Sequence, residues 1–237
     1  MKRSQTAFFY PGKDMRVRIN MRLVSRDGKE RIREMTMLRK NIQEGGDQRY
    51  YIYFYQPADV RDTTFMVYKY PKRDDDRWLF IPALNLVKRI AAADRNSSFV
   101  GSDFSYEDIS GRDLEEDSVE MLKEEQLGGS ETYVIKSIPR DPRSVNYSFK
   151  TSWIDKKSLL PIKEEYYDKR GSIYKIFTAE EIKVAGDIPT ITKRTMKNLQ
   201  TGQSTEVVFL EVEYNIGLQD EIFTERYLRK PPEKWIR

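Results

Sequence analysis

The residues best able to do chemistry in this chain are its carboxylates, because its 237 residues include neither histidine nor cysteine. That excludes Ser-His-Asp triads, thiol nucleophiles and imidazole acid–base steps, and structural zinc sites built on Cys and His. Disulfides are excluded too, so cysteine usage says nothing about redox compartment. The densest arrangement of acids is the stretch Gly101-Ser102-Asp103-Phe104-Ser105-Tyr106-Glu107-Asp108. Asp103, Glu107 and Asp108 offer the hard oxygens that calcium takes. Their order is not that of an EF-hand, and acids beside glycine are common in turns. The expectation is an ordered loop without metal or cofactor, in which Phe99, Phe104 and Tyr106 pack inward and the acids accept backbone hydrogen bonds. Asp74-Asp75-Asp76, between two strand-like segments, reads as a solvated turn whose adjacent side chains diverge. No carboxylate pair stands out for glycoside hydrolysis. There is no G-x-S-x-G elbow, P-loop or dinucleotide fingerprint. No enzymatic activity is expected.

Charge narrows the partners. The 42 basic and 38 acidic residues leave a net +4 spread along the whole chain. Nucleic-acid binders concentrate their basic residues in a patch or stripe, and no segment does so here. The small excess favours at most a peripheral approach to anionic lipid headgroups. No run reaches the ~20 apolar residues that span a bilayer. Residues 1–10, MKRSQTAFFY, lack the apolar core and cleavage site of a secretory signal.

The elements that must position any site are strands. Met15, Val17, Ile19, Met21 and Leu23 alternate with Arg16, Arg18, Asn20 and Arg22, which gives one apolar and one polar face. Arg26-Asp27-Gly28-Lys29 supplies a turn, and residues 31–40 return with Met35 and Met37 in phase. Residues 49–55 (RYYIYFY) and 64–70 (TFMVYKY) are aromatic strand candidates, and 77–81 ends at Pro82. Val145, Tyr147, Phe149, Thr151 and Trp153 are expected to share a face, as are Val208, Leu210, Val212, Tyr214 and Ile216. Strands also fit 115–126, 131–138, 160–168, 172–182 and 190–199. Residues 83–95 are the one segment that reads as a helix. The expectation is a single domain over residues 1–237, an antiparallel meander of about ten strands that must curl. The Met and aromatic stripe on its inner face has two readings, an ordinary core or a lipid cavity. Periodicity alone does not choose between them.

A resemblance bears on that choice. Arg77-Trp78-Leu79-Phe80-Ile81-Pro82-Ala83-Leu84, Arg89-Ile90 and Ser98-Phe99-Val100-Gly101-Ser102-Asp103-Phe104-Ser105-Tyr106-Glu107-Asp108 resemble the LolA-like outer-membrane lipoprotein-sorting proteins, in particular the branch found beside RND/MMPL-type exporters. The likeness extends to residues 7–15, 153–156 and 160–167. It implies a mainly β protein of the periplasm: a strongly curved antiparallel half-barrel with a few short helices covering the concave face. It also implies a cavity for lipoprotein acyl chains or other lipids, and an accessory role to an inner-membrane exporter. An envelope interaction or sensing domain is the alternative. Family members carry a signal and usually an opening helix, which this resemblance places ahead of residue 1. The lid-holding strand arginine of the LolA carriers has no aligned counterpart here. The cavity is expected to be lined by Met21, Leu23, Met35, Met37, Tyr53, Phe65, Val67, Trp78, Phe80, Leu84, Phe99 and Phe104.

Overall fold

In the computed structural model, which describes residues 1–43 and 45–236, the alternating segments form one curved, open, antiparallel sheet of thirteen strands. Six come from the first half: β1 (Asp14–Val24), β2 (Glu30–Asn41), β3 (Gln48–Gln56), β4 (Thr64–Lys69), β5 (Asp76–Ile81) and β6 (Leu86–Ile90). Seven come from the second: β7 (Asp117–Leu127), β8 (Ser130–Pro139), β9 (Phe149–Asp155), β10 (Pro161–Tyr167), β11 (Ile173–Ala185), β12 (Ile188–Asn198) and β13 (Ser204–Tyr214). Each half is a meander of neighbouring strands. β1 and β13 pair with each other at the middle of the sheet, so β6 and β7 are its two edges. Asp14 fastens this seam. Its buried carboxylate accepts the amides of Ile216, Gly217 and Leu218 at 2.7, 3.0 and 2.9 Å.

β1 follows its alternation closely. Met15, Val17, Ile19 and Met21 are buried on the concave face. Arg16 and Arg22 point outward and pair with Glu213 and Glu30 at 2.5 and 2.7 Å. Gly28 takes φ +79°, the left-handed conformation that the β1–β2 turn requires.

Two strands depart from the expected faces. Opposite β1, Ile19 pairs with Phe209 but Arg18 pairs with Glu211, so Leu210 is an extra residue in β13. This bulge reverses the parity: Val207, Phe209, Val212 and Tyr214 face inward, while Leu210 is exposed. β9 starts only at Phe149. Val145 and Tyr147 are buried in the concave core, but Ser148 donates both its amide and its hydroxyl to the Tyr167 carbonyl. Beyond it Lys150, Ser152 and Ile154 turn inward and Trp153 bonds Glu125 on the outside.

The expected helix at 83–95 is not formed. Pro82–Leu84 make a single 3₁₀ turn, Asn85 adopts φ +47°, and β6 returns to pair with β5. The left-handed residue reverses the chain where a helix would have continued. A second 3₁₀ turn covers Ala92–Asn96. Helix does occur at the start, in α1 (Lys2–Phe9), within residues that gave no helical pattern.

Two segments cover the sheet. The crossover from β6 to β7 contains α2 (Tyr106–Ser110) and lies on the concave side, where Phe99 and Tyr106 each sit 5.3 Å from the Phe65 ring. Gly111 ends α2 at φ +82°, with the Phe9 ring 3.1 Å from where a Cβ would stand, so glycine is required both for conformation and for space. The other segment follows β13 and includes α3 (Glu225–Arg229) and α4 (Glu233–Ile236). It packs Leu218, Ile222, Phe223, Leu228 and Ile236 on the outer face, against Leu38, Tyr51, Met66 and Phe80. There the sheet is covered on both sides, which is why RYYIYFY shows no polar face.

Candidate functional site

Between the concave face, α1 and the crossover lies a cavity of about 200 Å³. A single water needs ~10–15 Å³ by the same kind of measure, so this space is far more than a packing defect. One wall is apolar. Met15, Ile19 and Met21 of β1 and Met35 and Met37 of β2 supply it, with Phe99 and Phe104 from the crossover. Methionine side chains are unbranched and flexible, and so adapt to a ligand of variable shape. The lining runs out to the exposed residues Asn146 and Pro189.

The opposite wall, from β9 to β11, is polar and internally paired. Glu164 receives the Lys150 ammonium at 2.8 Å, the Ser152 hydroxyl at 2.7 Å and the Tyr166 hydroxyl at 2.8 Å. Burial alone would lower the Lys150 ammonium, but Glu164 holds it above the ordinary lysine value. Lys175 donates to Asp108 at 2.7 Å, and the Ser105 amide donates to the same oxygen at 2.7 Å, closing a capping box with the Ser105 hydroxyl. Burial would raise the Asp108 carboxyl, yet Lys175 and these hydrogen bonds bring it below the usual aspartate value. Arg112 bonds Glu107 at 3.2 Å and Asp117 at 2.9 Å. Burial raises the Glu107 carboxyl, with Arg112 and Arg95 opposing it.

The acids of the crossover therefore diverge. Asp103 accepts from the Thr205 hydroxyl at 2.8 Å, Glu107 faces Arg112, and Asp108 faces Lys175. Among the described residues, no three acidic side chains converge as a metal would require. Asp75 departs from the solvated turn expected of Asp74-Asp75-Asp76. It is buried, paired with Arg77 at 2.7 Å and bonded by the Ser110 hydroxyl at 3.0 Å, which ties β5 to the end of α2.

Of the residues expected to line the cavity, Met21, Met35, Met37, Phe99 and Phe104 do so. Phe65 and Val67 are buried in the core behind the lining, and Leu23 packs against that core. Tyr53, Trp78 and Phe80 belong to the outer face, in the cluster under the C-terminal segment. Leu84, in the 3₁₀ turn, is 67 % exposed. The sequence reading missed the polar wall and two arginines, because charged residues inside a strand read as solvent-facing. Arg39 on β2 is 2 % exposed and donates to the carbonyls of Phe9 and Pro11, holding the end of α1 over the cavity. Arg194 on β12 also lines the space, beside Phe8 of α1 and Phe209 of β13. Both arginines occupy inward positions, and only the register of their strands reveals it.

A single curved antiparallel sheet, roofed by a short helix and a crossover over a cavity, is the LolA-like architecture. Solved structures agree. An outer membrane lipoprotein-sorting protein domain from Vibrio parahaemolyticus matches at 30% identity over 97% of this chain and 96% of that one, with a TM-score of 0.88. A DUF1329 family protein from Desulfovibrio piger matches at 28% identity over 95% of both chains, also at 0.88. A LolA superfamily protein from Nitrosomonas europaea shares the fold at 20% identity, with a TM-score of 0.71 over 95% of this chain and 96% of that one. A family model described as "uncharacterized protein" matches residues 46–230. No curated protein matches. The chain belongs to the LolA-like family of outer-membrane lipoprotein-sorting proteins.

Proposed function

We propose that this protein is a periplasmic carrier that holds an acyl chain of a lipoprotein or other lipid in its cavity and catalyses no reaction. The observation that carries this reading is the large cavity between the methionine-rich wall of β1 and β2 and the roof of α1 and the crossover. Burying apolar chain contributes about 0.8 kcal/mol per methylene, so a handful of methylenes suffices for useful binding. A wall of unbranched side chains accepts chains of differing length without repacking a rigid core. Kinship with the lipoprotein-sorting domain supports the same assignment. Among the described residues no helix is long and apolar enough to cross a membrane.

Native mass spectrometry after gentle purification tests the reading. The expected result is a population carrying added lipid mass, which is released as a lipid ion on collisional activation. A protein that shows only its bare mass, and takes up no fluorescent fatty acid when offered one, would overturn it.

A further inference from the structure

Five basic side chains line the cavity: Arg39, Arg112, Lys150, Lys175 and Arg194. Four are committed. Arg39 donates to the carbonyls at the end of α1, Arg112 to Glu107 and Asp117, Lys150 to Glu164, and Lys175 to Asp108. Arg194 differs. Among the described residues it has no carboxylate or carbonyl acceptor. Its guanidinium carbon lies 4.6 Å from the ring centre of Phe209 and 5.8 Å from that of Phe8. Such contacts favour a cation but leave the five N–H donors of the fork without acceptors. Tyr214, also on the cavity lining, shares its hydroxyl with Thr190 at 3.0 Å. Burial pushes the Arg194 guanidinium down to about 10, still charged at neutral pH.

Its position in the sheet matters as much as its isolation. Arg194 stands opposite Val207 on β13, and Val207 stands opposite Met21 on β1. The unpaired fork and the methionine wall therefore lie in one cross-strand row, about 5 Å per strand apart. A guanidinium fork matches the two oxygens of a carboxylate or phosphate. An amphiphile could place such a head on Arg194 while its chain crosses Val207 toward the methionines.

We propose that Arg194 anchors the anionic head, a carboxylate or phosphate monoester, of an acyl-chain ligand bound in the cavity. The inference rests on the acyl-chain reading above and adds the charge of the ligand to it.

Displacement of the neutral fluorophore N-phenyl-1-naphthylamine tests the proposal, with three competitors of matched chain: dodecanoate, dodecyl phosphate and dodecanol. In the wild-type protein the anions are expected to displace the probe at concentrations about tenfold below dodecanol, the size of one charge-assisted hydrogen bond. The stronger of the two anions identifies the head. Arg194→Met is expected to bring all three to the level of dodecanol, and Arg194→Lys to retain part of the preference. Equal potency of the anions and dodecanol in the wild type overturns the anchor while leaving the acyl-chain reading intact. A preference that survives in folded Arg194→Met overturns it too. Failure of the probe to bind, with no uptake of any competitor, removes the acyl-chain reading and the anchor together. If Arg194→Met does not fold, the wild-type preference and its reduction in Arg194→Lys decide.

Discussion

The two halves of the sheet are held in different ways. In the first, β2 to β5 are covered on both faces, by the crossover within and by the C-terminal segment without. Their side chains are buried almost without interruption, as in β4, where five of the six residues are buried. In the second half the sheet is covered on one face only. β7, at the edge, is exposed along most of its length. The inner face there is fastened by Lys150–Glu164 and Lys175–Asp108 rather than by packing alone. The difference separates the two walls of the site. Double coverage makes a close-packed, stiff region that backs much of the methionine wall, and the singly covered half supplies the polar wall.

Matched substitutions can break or sharpen that comparison. Met66 and Met196 are the same residue type and almost equally buried, at 2% and 1% exposed. Met66 lies in the outer core and Met196 on the cavity wall. Met66→Ala is expected to cost about 4 kcal/mol, and Met196→Ala about 2 kcal/mol because its side chain already borders empty space. Denaturant midpoints measure both, and equal losses would break the comparison. Asp108→Asn comes next. It leaves Lys175 without its carboxylate and is expected to cost about 3 kcal/mol at neutral pH. The folded Asp108 carboxyl lies below its ordinary value, so its stabilisation is complete above about pH 3.9 and is lost as pH falls through the lower folded value. The gap in Tm between wild type and Asp108→Asn should therefore close in acid, and a gap that stayed constant down to the acid unfolding of the protein would contradict the ion pair. The smallest effect is expected on the outer face of β1. Arg16→Ala removes an exposed pair with Glu213 and should change stability by less than about 0.5 kcal/mol. A larger loss in the same denaturation experiment would mean that the seam depends on surface charge.

β1 was legible because Met15 to Leu23 alternates without exception and one outer face is wet. β13 was not, since the bulge at Leu210 is a property of the backbone and leaves no mark in a list of side chains. β9 misled for a different reason. Lys150 and Ser152 look like solvent residues, but Glu164 on the neighbouring strand satisfies both inside the protein. Tyr53, Trp78 and Phe80 came from runs that are apolar on both faces, where alternation carries no information about which face is inner. That choice depends on where the C-terminal segment docks, more than a hundred residues later in the chain. Met21, Met35 and Met37 were recoverable because their strands keep a clear parity. Arg194 was not, because a lone arginine in KRTMKN is indistinguishable from its exposed neighbours until the register is known.

The seam fixed by Asp14 also sets an order of events. Among these strands β1 is made first and β13 last, yet Met15 pairs with Tyr214. Contacts between such distant segments are slow to form, because closing a longer loop costs more entropy before any pairing repays it. Every other strand finds a partner in the segment made just before or after it, apart from the waiting side of β1. That row of amides and carbonyls, flanked by Met15, Val17 and Ile19, stays open until β13 has been made. Of the edges that pairing eventually closes, the one that ends at the centre of the sheet is exposed to misassociation for longest.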